Sequence, residues 1–394
     1  MRHTDIAIVG GGLAGSTAAA MIGRAGVDAI LIDPHPVYPP DFRCEKLDTL
    51  QARILQKTGL ADAVLRAATP DRELWVARFG QLVEKRRGAQ HGIHYDTLVN
   101  TVRGEIPAHT AFVAGKVTAI STGPDRQTIS VSGGEDISAR LVVLANGLNV
   151  GLRQKMGIGR DVISAGHSTS IGFDMKPIGR PAFDFCALTY YGERPADRVA
   201  YLTLFPIGGV TRANLFVYRD LHDPWLKQMR DAPAETLLSI MPGLKKLAGD
   251  FEITDFVKIR PVDLAITTGH RQAGLVLVGD AFATSCPAAG TGALKVLMDV
   301  ERLCNEHIPR WLASPGMGAD KIEAFYDDPA KVACDADSLA KAYHLRSLSL
   351  DGSLPWVARR WARFLLHWTK GILRQSPQQP YVEADAHGTV VPAR

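Results

Sequence analysis

Two clusters of glycine and aspartate carry the strongest chemical signal in this chain. The first is Gly10-Gly11-Gly12-Leu13-Ala14-Gly15, which fits Gly-x-Gly-x-x-Gly at Gly10, Gly12 and Gly15 and is followed by Asp33. The second is Gly279-Asp280-Ala281, followed by Pro287 and by Gly290-Thr291-Gly292-Ala293. A loop that brings backbone N–H groups to a helix N-terminus can cradle a phosphate or a carbonyl oxygen, and a carboxylate nearby can accept sugar hydroxyls. In the first cluster Gly10 permits a tight turn and Gly12 admits a pyrophosphate close to the backbone, with Leu13 and Ala14 in the same cradle. Gly15 lets helix and strand pack closely.

The elements that must position these residues are legible around them. Ile6-Ala7-Ile8-Val9 is a short apolar run that reads as a buried parallel strand, 16–25 as a helix, and Ala29-Ile30-Leu31-Ile32 as a second strand delivering Asp33. Strand, glycines, helix, strand and acid in register make a dinucleotide cradle, which alone does not separate NAD from FAD. Leu275-Val276-Leu277-Val278 is another buried strand, and it delivers Asp280 ahead of a helix from about 294 to 304.

Composition sets the frame. The 394 residues are 46% hydrophobic and 22% charged, with 45 Lys and Arg against 41 Asp and Glu, a net charge of +4. This is ordinary globular composition, and its mild charge excludes a surface built for nucleic acid. The five cysteines (Cys44, Cys186, Cys286, Cys304 and Cys334) form no Cys-x-x-Cys pair. The pattern predicts neither a metal site nor a disulfide framework, and it fits a reducing, cytoplasmic setting. Neither a secretory signal nor a long uninterrupted apolar run is apparent.

Gly279-Asp280-Ala281 with Pro287, Gly290, Gly292 and Asp299 resembles the GD motif of FAD-dependent monooxygenases of the aromatic-hydroxylase type, and the N-terminal unit is similar to that family's ADP-binding unit. The resemblance spans roughly residues 5–305. It implies that Asp280 meets the ribityl chain of FAD and that the loop after Pro287 lies against the isoalloxazine, with Pro287 at its reacting edge. It also implies that Arg43, in Phe42-Arg43-Cys44-Glu45-Lys46, reaches the FAD phosphates and that the backbone of Val117 meets adenine. His94 to Val99 resembles the family's helix start, and Leu204-Phe205-Pro206 a strand of its substrate domain. The middle motif departs from the pattern: Asn146-Gly147 stands where the family has Asp-Gly, although Arg153 keeps its spacing. Asn146 still offers hydrogen bonds to the cofactor but no charge, and because the family's motif serves both FAD and NAD(P)H, the resemblance leaves open how the reductant docks and whether NADH or NADPH reduces the flavin.

The implied fold is α/β: a Rossmann-like FAD-binding fold of the glutathione-reductase type over 1–75, 95–165 and 255–310. An antiparallel β-sheet substrate domain is inserted at 76–94 and 166–254. A helical region at 311–376 and a mobile tail at 377–394 follow. The implied activity is hydroxylation of an aromatic or other electron-rich ring by a flavin C4a-hydroperoxide, with molecular oxygen as co-substrate and NADH or NADPH as electron donor. Prenyl reductases and halogenases share the architecture, although no Gly-x-Trp-x-Trp-x-Ile-Pro is present. A non-catalytic flavin-binding protein is a further alternative.

Period-two alternation over the insert predicts an aromatic-lined sheet. Phe183, Phe185 and Tyr191 share one face of a strand; Tyr201, Thr203 and Phe205 share a second; Asn214, Phe216 and Tyr218 share a third. Such a sheet either roofs an apolar substrate or is plain core. On the first reading Phe185, Tyr201, Phe205 and Phe216 bind substrate, with Cys286 lining the pocket. His167 and Tyr191 are candidate catalytic groups beside Pro287, against a structural role for each. Arg260 suits either an anionic substrate or a surface ion pair.

Beyond 306 the pattern turns helical, with Asp328-Pro329 an N-cap and first-turn pair and Ser353 with Pro355 opening a last helix. Across 355–375, Val357, Trp361, Phe364, Leu365, Trp368 and Ile372 fall on one arc and Arg359, Arg363, Lys370 and Arg374 on the opposite one, with no acid from Ser353 to Val382. Such a helix either caps the protein's own apolar body or touches an anionic membrane surface peripherally.

Overall fold

The computed structural model describes residues 1–374 together with 383–384 and 390–391. Two sheets organise it. In the first, Ala111–Ala114, Ala29–Asp33, Arg2–Val9, Ile137–Leu144 and Leu275–Leu277 lie side by side in parallel. Gln127–Val131 and Val117–Ser121 extend it antiparallel. The central strands are buried on both faces, which is why they read as unbroken apolar runs. This sheet and its helices present the strand ends that carry Gly10, Asp33, Ala145 and Gly279.

The second sheet runs in the order Phe251–Ile253, Gly159–Pro177, Val210–Val217, Val199–Ile207, Ala187–Tyr191, Glu73–Arg78 and Gln81–Arg87, with Lys258–Thr268 along Gly159–Pro177. One face is covered by the helices Pro224–Asp231, Pro233–Ile240 and Leu244–Ala248, and Phe173, Leu202, Leu204, Leu215 and Trp225 fill the space between. The other face looks toward the first sheet. The expected boundaries at 75/76 and 165/166 cut strands of this sheet, which opens at Glu73 and includes all of Gly159–Pro177. Lys258–Thr268, expected in the cofactor domain, pairs along this sheet's long strand.

Phe183 and Phe185 do not lie in a strand. They stack on each other at 5.1 Å in the loop before Ala187–Tyr191 and are buried on the helix-covered side of the sheet. Alternation here marks two core anchors in a loop, and Phe185 is no part of a substrate surface.

The C-terminal region is helical: Ile308–Leu312, Ala319–Tyr326, Pro329–Leu350 and Leu354–Arg374. Asp328 caps the third of these by accepting from the N–H groups of Ala330 and Lys331. The last helix docks on the edge strand Gln81–Arg87: Trp361 stacks on Phe79 at 4.9 Å and His367 Nδ1 meets Glu84 Oε2 at 2.8 Å. Leu365 and Trp368, on the same arc, stay 51% and 48% exposed. The side chains of Lys370, Ile372 and Arg374 lie outside the described residues, as does the tail expected over 377–394, save the paired Glu383–Ala384 and Val390–Val391.

A buried charge chain ties the helical region to the cofactor side. Lys331 Nζ, 1% exposed, donates to Asp299 Oδ1 and to Asp335 Oδ2, each at 2.9 Å. Asp299 Oδ2 in turn accepts the Gly279 N–H at 2.8 Å. Burial works against the charged Lys331, but the two carboxylates outweigh it and raise its pKa. Lys331→Ala leaves Asp299 buried without its counter-ion. We expect a loss of about 3–5 kcal/mol in urea unfolding of the apoprotein; an unchanged midpoint would show that the pair contributes nothing net.

Candidate active site

The first cradle is built by steric exclusion. Gly10 has φ +102°, and a Cβ there would lie 2.6 Å from the Ala145 carbonyl oxygen. A Cβ at Gly15 would lie 1.8 Å from the Gly10 oxygen, so only glycine lets the helix Leu13–Arg24 approach its strand. Gly12 differs. A Cβ there meets nothing in the protein closer than the Tyr95 hydroxyl at 3.7 Å. The space above it is kept clear of protein atoms, as close approach of a bound group to backbone requires. The helix it opens has no cap from its N-cap residue and no acid in its first turn; Leu13 N–H donates to the Tyr95 hydroxyl at 3.4 Å, and the positive dipole end faces that space. Leu13 lines the cleft, whereas Ala14 is buried beneath it.

Asp33 Oδ2 accepts the Gly11 N–H at 2.6 Å, and its Oδ1 accepts from His35 N at 2.9 Å. Arg103 Nη2 lies 3.3 Å from the same carboxylate. Sequence reasoning missed Arg103. Its guanidinium also donates to the Gly11 carbonyl at 2.6 and 3.1 Å and so braces the glycine loop from the far end of the helix Tyr95–Gly104. The Gly115 N–H donates to the Asp33 carbonyl at 3.1 Å, which brings the start of the Val117 strand beside the end of the Asp33 strand.

The second cradle faces the same cleft. Asp280 lines it and pairs with Arg43 at 3.2 Å, and Arg43 also donates to Asp41 at 2.5 Å. Pro287 opens a tight turn closed by Gly290 at φ +69°, after which the helix Gly292–Arg302 begins without a side-chain cap or a first-turn acid. Pro287, Gly290, Gly292 and Ala293 line the cleft. The Thr291 side chain turns away and bonds to Ser338 Oγ at 2.6 Å, leaving only its backbone for a ligand. Asn146 donates to the Asn149 carbonyl at 3.0 Å, and its Oδ1 is buried without a partner. Arg153 bolts this segment to the second cradle, donating to the carbonyls of Ala281 and Gly147 and to the Thr267 hydroxyl. The chain thus offers two helix N-termini without side-chain caps of their own, the Asp280 carboxylate and a clear backbone approach at Gly12 along one cleft, with Asp33 behind the glycine loop. That donor set fits a dinucleotide with a flavin ring.

Opposite lies the free face of the second sheet, in three cross-strand rows. Ser170, Phe216 and Tyr201 form one; Gly172, Asn214 and Thr203 the next; Asp174, Arg212 and Phe205 the third. The loop carrying Phe42 to Lys46 covers the third row. Phe42 lies against Gly172, where a Cβ would come within 2.4 Å of its ring. Glu45 receives Arg212 through two bonds of 2.8 and 3.0 Å. Lys46 stands with its ammonium 5.4 Å from the Phe205 ring centre. Burial raises the Glu45 carboxyl, but His94 and Arg212 outweigh it and hold its pKa below the usual range. Burial lowers Lys46 to about 8. Rows one and two remain open to the cleft. Tyr201 and Phe216 line it, together with Ser170, Thr203 and Asn214. Phe205 shares their face but is sealed under Lys46 and Gly92, so it does not. The sequence signalled the aromatics by alternation. It gave no sign of Glu45 with Arg212, whose partners are distant in the chain.

Three further candidates are placed elsewhere. Tyr191 packs against Tyr201 and holds Arg78 over its ring at 3.7 Å, outside the cleft. His167 is fully buried in a bulge of the long strand, beside Ser164 Oγ at 3.1 Å and Arg346 Nη1 at 3.4 Å. Burial and the Arg346 charge lower its pKa to about 4, and it does not line the cleft. Cys286 is buried 3.5 Å from Ser168 Oγ, on a separate apolar pocket behind the 284–287 loop, and burial pushes its thiol up. Arg260 lines the cleft but is held by Asp41 and by the Phe42 carbonyl. No metal-binding cluster occurs among the described residues.

Comparison with known proteins places these features in context. The family described as FAD binding domain matches residues 3–306. Ubiquinone hydroxylase UbiL of Rhodospirillum rubrum is 27% identical over 349 residues, covering 83% of this chain and 77% of that protein. The 3-demethoxyubiquinol 3-hydroxylase of Escherichia coli is 28% identical over 326 residues, covering 77% of this chain and 79% of that protein. Among solved structures, p-nitrophenol 4-monooxygenase PnpA from Pseudomonas putida superposes with a TM-score of 0.72 at 17% identity, covering 95% and 96% of the two chains.

Because the space above Gly12 is empty of protein, Gly12→Val is expected to fold with an unchanged far-ultraviolet spectrum and to purify with flavin absorbance reduced at least fivefold. Asp280→Ala should lower occupancy in the same assay. Full flavin content in both variants would place the cofactor elsewhere.

Proposed function

This chain belongs to the FAD binding domain family, the aromatic-hydroxylase type of flavoprotein monooxygenase, and on that premise we propose that it hydroxylates an electron-rich ring at the expense of NADH or NADPH. Ring C–H, dioxygen, reduced nicotinamide and a proton become ring C–OH, water and oxidised nicotinamide. The observation that carries the reading is the facing of two surfaces across one cleft: the helix starts at Leu13 and Gly292 with Asp280 on one side, Tyr201 and Phe216 on the other. Bound FAD supplies the activation of oxygen and the transfer of one of its atoms.

The chain's own residues would hold and shield. The N–H groups of Gly12, Leu13 and Ala14 meet the pyrophosphate, and Arg43 adds a positive charge beside it. Asp33 and Asp280 accept hydroxyls of the ribose and of the ribityl chain, and the backbone of Val117 borders the adenine. The N–H groups from Thr291 to Ala293 meet a carbonyl of the flavin ring, and Pro287 borders its reacting edge. Tyr201 and Phe216 roof the substrate and keep water from the reacting atoms. Tyr201 acts by packing and not as a base. Its hydroxyl donates to the Ala288 carbonyl at 2.6 Å, and burial holds its pKa well above the ordinary value.

The test is to mix holoenzyme anaerobically with NADH or NADPH across phenols and quinols, follow the bleaching of flavin absorbance, then admit ¹⁸O₂. Ring-stimulated reduction followed by a product carrying one ¹⁸O atom is expected. Reduction that yields only hydrogen peroxide, with no labelled product for any ring, would overturn the assignment.

The last helix supports a second element of the reading: peripheral seating on an anionic membrane surface. No helix among the described residues is long and apolar enough to cross a membrane. Leu354, Leu365, Leu366 and Trp368 nevertheless remain largely exposed on a helix that carries Arg359, Arg360 and Arg363 and no acid. The protein is expected to sediment with vesicles rich in phosphatidylglycerol and not with pure phosphatidylcholine, and to lose that binding in Leu365→Ser/Trp368→Ser. Equal recovery with both lipids would remove the membrane from the account.

A further inference from the structure

A second groove lies between the last two helices and the edge of the substrate-side sheet, lined among others by Arg78, Phe79, Tyr191, Glu193, Leu348 and Arg360. Arg78 ends the strand Glu73–Arg78, and Arg360 stands on the helix Leu354–Arg374. Tyr191 belongs to this groove, and its ring packs at 5.7 Å on that of Tyr201, which lines the cleft. Neither Arg78 nor Arg360 forms an ion pair among the described residues. Arg78 lies 3.7 Å over the Tyr191 ring, and its Nε is buried without a partner. Burial, and with it the Arg363 charge, lowers its pKa. Glu84 acts on it from the neighbouring strand but is engaged by His367 at 2.8 Å. Arg360 uses Nη1 alone, donating to the carbonyls of Leu348 and Asp351 at 3.0 and 2.8 Å.

The other charges of the groove are matched. Glu193 is the one acid of its lining, and its Oε1 accepts the Tyr190 hydroxyl at 2.5 Å and the Gly243 N–H at 2.9 Å. Arg194 is held by Asp197 through two bonds of 2.8 and 3.0 Å. A buried guanidinium nitrogen without an acceptor is unfavourable until a ligand supplies one. Backbone strain borders the same groove. Among the described residues Phe79 and Arg198 alone, glycines aside, have positive φ, at +49° and +57°. Phe79 precedes Gly80 at φ +69° in the two-residue turn between Glu73–Arg78 and Gln81–Arg87, where asparagine or aspartate is the favoured first residue. Phe79 lines the groove, and Arg198 adjoins Val199, which also lines it. Such conformations persist where the surroundings dictate them, and they gather at ligand sites.

We propose that this groove binds a phosphate group, carried by a soluble ester or by a lipid headgroup, between the guanidinium groups of Arg78 and Arg360. The two arginines come from separate elements, so an anion between them is met from two directions. A tetrahedral phosphate has oxygens for both, whereas a planar carboxylate is filled by a single fork. Its double charge also answers the surplus of Arg78 and Arg360, to which Arg363 adds from the same helix. The site is apart from the ring chemistry of the cleft and stands whether or not the monooxygenase reading does.

The test uses the full chain loaded with FAD, so that the cofactor's own phosphate cradle is filled. It is titrated calorimetrically at low ionic strength with inorganic phosphate, with glycerol 3-phosphate, with soluble dihexanoyl phosphatidic acid and with acetate. At least one phosphate compound is expected to saturate a single site per chain. Arg78→Met and Arg360→Met should each weaken it about tenfold while flavin content and the far-ultraviolet spectrum stay unchanged. Arg359→Met, whose guanidinium lies 4.7 Å over Trp356 and outside the groove, should leave it unaltered. Should Arg78→Met fail to fold, Arg78→Lys keeps the charge, removes the fork and is expected to weaken binding as well. Phosphatidic acid binding about tenfold tighter than glycerol 3-phosphate would assign the group to a lipid headgroup, and equal binding to a soluble ester; either supports the site. No saturable heat from any phosphate compound, unchanged binding in both groove variants, or acetate binding as tightly as phosphate would overturn the proposal.

Discussion

The bidentate bond between Arg212 and Glu45 sets the geometry on which the cleft depends. Arg212 is 1% exposed and sits on the substrate-side sheet, while Glu45 sits on the loop that follows the first cradle. Taking both charges out of water is costly, and an apolar pair of similar shape would often be as stable. What the ion pair supplies is position. It fixes the loop over the third cross-strand row, lays Phe42 against Gly172 and Lys46 against Phe205, and leaves the first two rows open. The depth of the cleft and the identity of its lining both follow from that seating.

Much of the cofactor side was legible in the sequence because its constraints are local and steric. A glycine whose Cβ would strike the backbone of the next strand must be a glycine, and an acid at a strand's end is delivered by the strand. Gly10, Gly15, Asp33 and Asp280 are of this kind. Arg103 was not legible: it acts on the glycine loop from the end of a helix far along the chain, and no spacing announces such a reach. Glu45 with Arg212 and Lys331 with Asp299 are equally long-range.

On the substrate side, alternation located the sheet but left the fate of each aromatic open. Tyr201 and Phe216 reached the cleft; Phe205, on the same face, was covered by the loop; Phe183 and Phe185 never entered a strand. Periodicity reports which side of a strand a residue takes, and the tertiary structure decides what lies on that side. Of the polar members of the rows, Thr203 and Asn214 entered the sequence reading only as neighbours of aromatics and Ser170 not at all, because serine, threonine and asparagine are ordinary on any strand. Their meaning comes from burial. His167 and Cys286 show the converse, reactive residue types whose surroundings make them inert: one held neutral, the other with its thiol kept protonated.

The strand Gly159–Pro177 is 19 residues long, and Lys258–Thr268 pairs along most of it. It leaves the cofactor side at Gly159, bends at the bulge near His167 and continues as a central member of the substrate-side sheet. The two halves are therefore joined by a two-stranded ladder of backbone hydrogen bonds, interrupted at that bulge, and are not beads on a tether. Parting them like the shells of a clam would unzip that ladder, whereas swinging the short segment from Asp41 to Lys46 would not. The cost of that swing falls instead on the Glu45–Arg212 pair that seats the loop.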